Sequence, residues 1–287
     1  MKINKHLAAL LSLLLYANDG GFLLPVFADD TNGSSHLFAT SDATHLRLLA
    51  SALRCQRMNM DVIANNLANA NTTGFKASQL LFQDMTCDRE GPTLLLKGVE
   101  PFSISRRFTQ GDLSRTGEAL DIAIQGSGFF MVQMPDGALA YTRDGGFDKD
   151  SQGCIVTPQG YRVLGGFQPV PQDVATIHIT DGGQVTYPTP SGVITCQVQL
   201  ARFANPSGLE AIGHNLYKET AASGNDEVGN PGHNGFGELQ QGFLELSNVV
   251  VVSEMVNLIL AQRTYDAISQ AMQSAEKMMR QSNNTNR

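Results

Sequence analysis

The stretch Met60-Asp-Val-Ile-Ala-Asn-Asn-Leu-Ala-Asn-Ala-Asn-Thr-Thr-Gly-Phe75 decides the fold. Met60, Ile63, Leu67 and Ala70 recur at spacings of three and four, which draws an apolar stripe along a helix. Beside that stripe lie Asn65, Asn66, Asn69 and Asn71. Asn side chains compete for backbone hydrogen bonds, so four of them weaken an isolated helix near its end. Gly74 then supplies a left-handed stop. Such a helix depends on partners for its stability, although a fraying, solvated last turn has the same composition.

Outward from this stretch the stripe continues toward the N-terminus. Leu46, Leu49, Leu53, Gln56, Met60, Ile63, Leu67 and Ala70 alternate three and four residues apart, with Gln56 the one polar member. That is an a/d heptad seam. The other end of the chain repeats it with Leu258, Ala261, Tyr265, Ile268, Met272, Ala275 and Met279. Each helix is expected to run roughly 30 residues, or about 45 Å. The fold class read from this pattern is α+β, with long N- and C-terminal coiled-coil helices packed together and an all-β middle domain. A helical hairpin closed within a single chain satisfies the same pattern.

The 287 residues allow one large domain or two ordinary ones, and 42% hydrophobic residues suffice for a sizeable core. A net charge of −7 without a long basic run argues against nucleic acid as a partner. Residues 1–28 read as a secretory signal. Lys2 and Lys5 precede the apolar run Leu7-Ala-Ala-Leu-Leu-Ser-Leu-Leu-Leu-Tyr-Ala17, and Val26-Phe-Ala28 offers a cleavage site, with a second option near Ala17. Residues 29–76 are then a disordered lead-in followed by the first helix, and 77–107 a linker with a short strand over 93–97. Residues 108–237 form the β-rich middle, and 238–287 the C-terminal helix.

The middle turns to period two with frequent turns. Leu120, Ile122 and Ile124 alternate, Gly126-Ser-Gly128 breaks the run, and Phe129-Phe-Met-Val-Gln133 resumes it. Pro135-Asp-Gly137 marks a hairpin turn, and Asp181-Gly-Gly183 another. Ile194, Cys196, Val198 and Leu200 form one face of a half-buried strand. The glycine-rich stretch 224–237 reads as a flexible loop.

No constellation here carries chemistry, so no catalytic residue, metal ligand, cofactor or small-molecule substrate is assigned. Gly126-Ser-Gly128 lacks the third glycine of a dinucleotide loop. The six His lack zinc-site spacing. Arg143 beside Asp144 and Asp148 reads as a turn with a solvated ion pair. Cys55, Cys87, Cys154 and Cys196 allow three disulfide pairings in an oxidising compartment. Cys55 and Cys196 read better as buried thiols.

Residues 60–76, ending in Phe75-Lys76, resemble the N-terminal signature of bacterial flagellar rod and hook proteins. Further stretches resemble the distal-rod members of that family: Phe108-Thr-Gln-Gly-Asp-Leu113, Leu120-Asp-Ile-Ala-Ile-Gln-Gly-Ser-Gly-Phe-Phe130, Ala140-Tyr-Thr-Arg-Asp-Gly-Gly-Phe147, Leu239-Gln-Gln-Gly-Phe-Leu-Glu245, Ser247-Asn-Val249 and Ala261-Gln-Arg-Thr-Tyr265. They follow the family's order over residues 40–280.

The resemblance implies a structural subunit of the basal-body rod. Many copies would form a hollow helical driveshaft that spans the periplasm, passes torque to the hook and encloses an export channel. The partners implied are further copies of the chain, proximal rod and hook subunits, and surrounding ring proteins. The assembly residues it implies are Leu46, Leu49, Leu53, Met60, Ile63, Leu67, Leu258, Ala261, Tyr265, Ile268, Met272, Ala275 and Met279. Asn65, Asn66 and Asn69 would exchange amide hydrogen bonds between subunits. Family members start close to the first helix and leave through the flagellar type III apparatus. Here about 36 residues precede it and resemble a Sec signal, so the subunit is either Sec-exported or translated from a start near Leu37. The segment after Phe82-Gln-Asp84 is shorter than in distal-rod proteins. A secreted β-rich binding module would explain the signal and the turns, but not heptads at both termini.

Overall fold

The computed structural model describes residues 35–84, 99–171, 174, 177–189 and 192–285. The signal read over 1–28, the strand read over 93–97 and Cys87 lie outside them. The chain divides into two compact units at residues 42 and 43. Of the first, the described part is the opening of a helix; everything below concerns the second, Ala43–Arg287.

The architecture is mixed α+β, with two long helices among the described residues. Helix α1 spans Ser35–Ala68 and α2 spans Val251–Thr285. Helix α1 stops before the predicted Gly74. The Asn69 carboxamide folds back onto the Asn65 carbonyl at 2.8 Å, and Asn69 N–H is shared between the carbonyls of Asn65 and Asn66. The last turn is thereby tightened by side-chain competition. Gly74 takes its left-handed φ of +66° six residues beyond the helix.

Residues 77–107, expected as a linker, instead contain β1 (Ser78–Asp84) and β2 (Val99–Arg106), paired antiparallel. A register shift between Leu81 and Phe82 breaks the alternation that would have marked the strand. Strands β3 (Leu113–Arg115) and β4 (Ile122–Gln125) pair with the far end of the β region. Their partners are β18 (Phe243–Glu245) and β17 (Glu238–Gln241). The C-terminal helix therefore begins at Val251, not at 238. Strand β4 lies on the alternation read at Leu120, Ile122 and Ile124, whereas β3, β17 and β18 carry too few residues to display a period and only the distant partner defines them.

The turn at Pro135-Asp-Gly137 closes a hairpin of β5 (Phe130–Gln133) and β6 (Leu139–Thr142). That hairpin sits inside a seven-stranded sheet. Its other members are β7 (Asp148–Lys149), β8 (Ile155–Val156), β9 (Arg162–Val163), β14 (Glu210–Gly213) and β15 (Leu216–Lys218). Strands β10 (His178–Ile179), β11 (Gln184–Thr189) and β12 (Gly192–Gln197) form a separate meander. Strand β13 (Leu200–Arg202) pairs with β16 (Glu227–Gly229), so the glycine-rich stretch read as a loop contains a strand.

One core lies between these sheets, built on Ile122, Ile124, Phe130, Val132, Leu200 and Leu239. A second is aromatic. Phe108, Phe129, Tyr141, Phe203 and Tyr217 meet edge to face, with centroids 4.7 Å apart for Tyr141–Phe203 and 5.1 Å for Phe108–Tyr217. Each such pair adds about 0.5–1.5 kcal/mol beyond its area burial. Cys196 is buried on the predicted apolar face, and Cys55 is buried on α1.

Candidate functional site

The two helices leave the β region at one junction, because β3–β18 and β4–β17 bring its sequence ends together. Phe75, Ala77 and Val249 form a small core there, with Ala70 against it. Gly74 N–H donates to the Glu245 carbonyl at 2.8 Å. A Cβ on Gly74 would lie 2.5 Å from the Asp144 nitrogen, so a side chain is excluded by contact as well as by φ. Asn248 accepts from Ala77 N–H at 2.7 Å and donates to the Arg107 and Thr109 carbonyls at 2.7 and 3.1 Å.

Asn66 departs from expectation. It is buried, and its carboxamide accepts from Ser78 N–H at 2.8 Å while donating to the Ser78 carbonyl at 2.9 Å. Its nitrogen also faces Glu254 Oε2 at 3.5 Å. One Asn thus continues the hydrogen bonding of β1 and links it to α2, inside its own chain rather than across to another. Asn69 serves the end of α1, and Asn65 is exposed.

Beneath this layer lies a charge cluster that sequence reading missed. Glu245 is wholly buried between Lys76 and Arg143. Lys76 Nζ donates to Glu245 Oε1 at 2.5 Å, and Arg143 Nε lies 3.0 Å from Oε2. Gly111 N–H adds a bond to Oε1 at 2.9 Å. The remaining donors reach backbone: Lys76 Nζ to the Thr109 carbonyl at 2.8 Å, Arg143 Nη1 to the Gly128 carbonyl at 2.7 Å. Arg143 therefore sits in a buried triad, not in the solvated pair read from Arg143-Asp144. Burial lowers the affinity of both cations for their protons, and the Glu245 carboxylate opposes that shift. Burial also raises the Asp144 carboxyl above its ordinary value, against hydrogen bonds from Thr73 and Gly146.

The expected assembly residues fall on the helices as follows. On α1, Ile63 is buried and Leu46, Leu49, Leu53, Gln56, Met60 and Leu67 are half-buried. On α2, Ala261 is buried, and Leu258, Tyr265, Ile268, Met272, Ala275 and Met279 are half-buried; Glu254, which was not among the expected residues, is buried beside them. Gln56 Nε2 donates to the Ala261 carbonyl at 3.0 Å. With Asn66 facing Glu254, this contact runs the two helices past each other in opposite directions. A second set of apolar residues on α2 is turned away: Val252, Met255, Val256, Ile259 and Leu260, with Val252 72% and Leu260 55% exposed. Leu81, Phe82 and Ile104 on β1–β2 are also exposed. The signal for the α2 face was available, since 249–260 has polar residues only at Ser253, Glu254 and Asn257.

Among the described residues, no helix is long and apolar enough to cross a membrane. Three family models match the chain. The flagella basal body rod protein model covers residues 46–76, the flagellar hook protein FlgE/F/G D1 domain 123–187, and the flagellar basal body rod FlgEFG protein C-terminal model 240–285. The flagellar basal-body rod protein FlgG of Borreliella burgdorferi is 41% identical over 256 residues, 83% of this chain and 97% of that protein. FlgG of Caulobacter vibrioides is 42% identical over 254 residues, 82% of this chain and 96% of its own. FlgG of Bacillus subtilis is 35% identical over 250 residues, covering 80% and 94%.

The chain belongs to the flagellar basal-body rod protein family.

Each of the three matched regions contributes one charge to the buried triad: Lys76 closes the first, Arg143 lies in the second and Glu245 in the third. The rod-protein family match over 46–76 also holds Ile63, Asn66 and the junction residues Gly74 and Phe75.

Proposed function

We propose that this chain is a structural subunit of the flagellar basal-body rod, at its distal part, and that its activity is polymerisation rather than catalysis. Copies stack through their helices into a hollow shaft that transmits torque to the hook and encloses the export channel. The β region forms the outer layer toward the ring proteins, and proximal rod and hook subunits cap the two ends. The coiled-coil reading of α1 and α2 belongs to this assembled state. Leu46, Leu49, Leu53, Met60, Ile63, Leu67, Leu258, Ala261, Tyr265, Ile268, Met272, Ala275 and Met279 are the packing residues, with Asn65 and Asn69 at the polar margin.

The observation that carries this reading is the apolar face Val252, Met255, Val256, Ile259 and Leu260, exposed on a helix already packed by its opposite side. A soluble monomer has no use for such a face, whereas a head-to-tail contact that does not close generates an open helical filament. The subunit is exported by a cleaved signal within residues 1–28.

The deciding experiment is peptide mass spectrometry on purified basal bodies of the source bacterium. The chain should be present, with its first peptide beginning near Asp29. A first peptide near Leu37 would retain the rod role and remove the signal. Absence of the chain from intact basal bodies would overturn the assignment in favour of a secreted β-rich binding module.

A further inference from the structure

Lys76, Arg143 and Glu245 come from three distant parts of the chain, and their side chains are 0–5% exposed. Lys76 follows the turn out of α1, Arg143 follows β6, and Glu245 ends β18 on the approach to α2. The cluster therefore ties the two chain segments that lead to the helices to the segment after β6 and to the 109–111 backbone. Its Coulombic attraction is not what explains it. A buried ion triad surrenders most of its attraction to desolvation, and apolar residues of similar volume are often as stable or more so. A triad does provide direction. Oε1 accepts from Lys76 and Gly111, while Oε2 is held by charge alone, 3.0 Å from Arg143 Nε and without a hydrogen bond. Both cations are further committed to backbone carbonyls of the β region. An apolar contact tolerates sliding and rotation, whereas this set of bonds is satisfied in one relative orientation only.

We propose that Lys76, Glu245 and Arg143 form a torsional joint that holds the two helices at one fixed angle to the β region. This rests on the rod reading for its purpose: each subunit presents its helical and outer layers to neighbours in a single geometry, and torque passes between the layers without slip. The three are positioning residues. The junction hydrogen bonds of Gly74, Asn66 and Asn248 lie around the joint.

The test uses the full chain with the triad replaced by apolar residues of similar size, Lys76→Met, Arg143→Met and Glu245→Leu together. Thermal unfolding reports the fold. Pulsed electron resonance between spin labels at Asp136 and Gln270, carried on encoded non-cysteine amino acids, reports the angle. The expected result is a melting temperature within a few degrees of wild type, a broadened distance distribution, and loss of swimming when the variant replaces the chromosomal copy. An unchanged distribution overturns the joint. Should the triple variant fail to unfold cooperatively, Arg143→Met with Glu245→Gln takes its place under the same criteria. Gln retains the acceptor for Gly111, and a lone Lys76 can discharge by losing its proton, as a lone arginine cannot. Absence of the wild-type chain from basal bodies would overturn the rod reading separately, while the distance measurement still decides the joint.

Discussion

Asn66 accepts from and donates to Ser78 with one carboxamide, so Asn66→Ala leaves both half-buried backbone groups of that residue without this partner. The expected loss is about 1–2 kcal/mol, read as a lower denaturant midpoint at unchanged slope. Asn66→Asp keeps the acceptor for Ser78 N–H but removes both donors and sets a carboxylate against Glu254. It should be at least as damaging at neutral pH and should recover as pH falls, since protonation restores a donor. Asp144 carries a pH dependence of the same sign in the native chain. Burial raises its carboxyl, so the folded state binds the proton more readily than the unfolded state. The corresponding stabilisation is complete in acid and is lost as pH rises through the folded value. Asp144→Asn keeps an acceptor for Gly146 N–H without the charge. Its stability relative to wild type should therefore increase from acid to neutral pH, and a flat difference across parallel denaturation curves would contradict that account.

Helix α2 presents two faces with different predicted consequences. Val256→Asp with Ile259→Asp alters only exposed positions, so the free subunit should melt within about 0.5 kcal/mol of wild type while incorporation into basal bodies is lost. Unimpaired incorporation would move the assembly surface elsewhere, with the exposed Leu81 and Phe82 the next candidates. Proline at Ile63 or Ile268 removes a helical hydrogen bond and costs roughly 3 kcal/mol locally. It should abolish rods while the β region stays folded, visible as an unchanged strand signal in circular dichroism. Ile63 is the more severe site, because it is buried beside the junction and Ile268 is only half-buried. Full-length rods built from either variant would refute packing of helices as the basis of assembly.

Both large cores, the junction core and the charge triad lie within residues 70–249. A chain cut to those residues should unfold cooperatively and should not polymerise, which calorimetry and sedimentation would check; a non-cooperative melt would show that the helices support the β region. The sequence alone determined the two heptad stripes, the strand-and-turn character of 108–237 and the family, because helical periodicity and glycine-bearing turns such as Pro135-Asp-Gly137 are local properties of consecutive residues. It placed Ala261 on an α2 stripe whose positions are less exposed than their neighbours, whereas on α1 the buried Cys55, Val62 and Asn66 lie off the predicted seam and of its members only Ile63 is fully buried. It misread 77–107 and 238–250, where a bulge and very short strands leave no period to detect. It also assigned Asn66 to a neighbouring subunit and Arg143 to solvent. Only the tertiary structure decided those two, since Ser78 reaches Asn66 through the turn after α1, Glu254 through the packing of α2, and Glu245 reaches Arg143 at the end of β18. A polar side chain's role depends on the groups that surround it once it is buried, and spacing along the chain does not encode which groups those are.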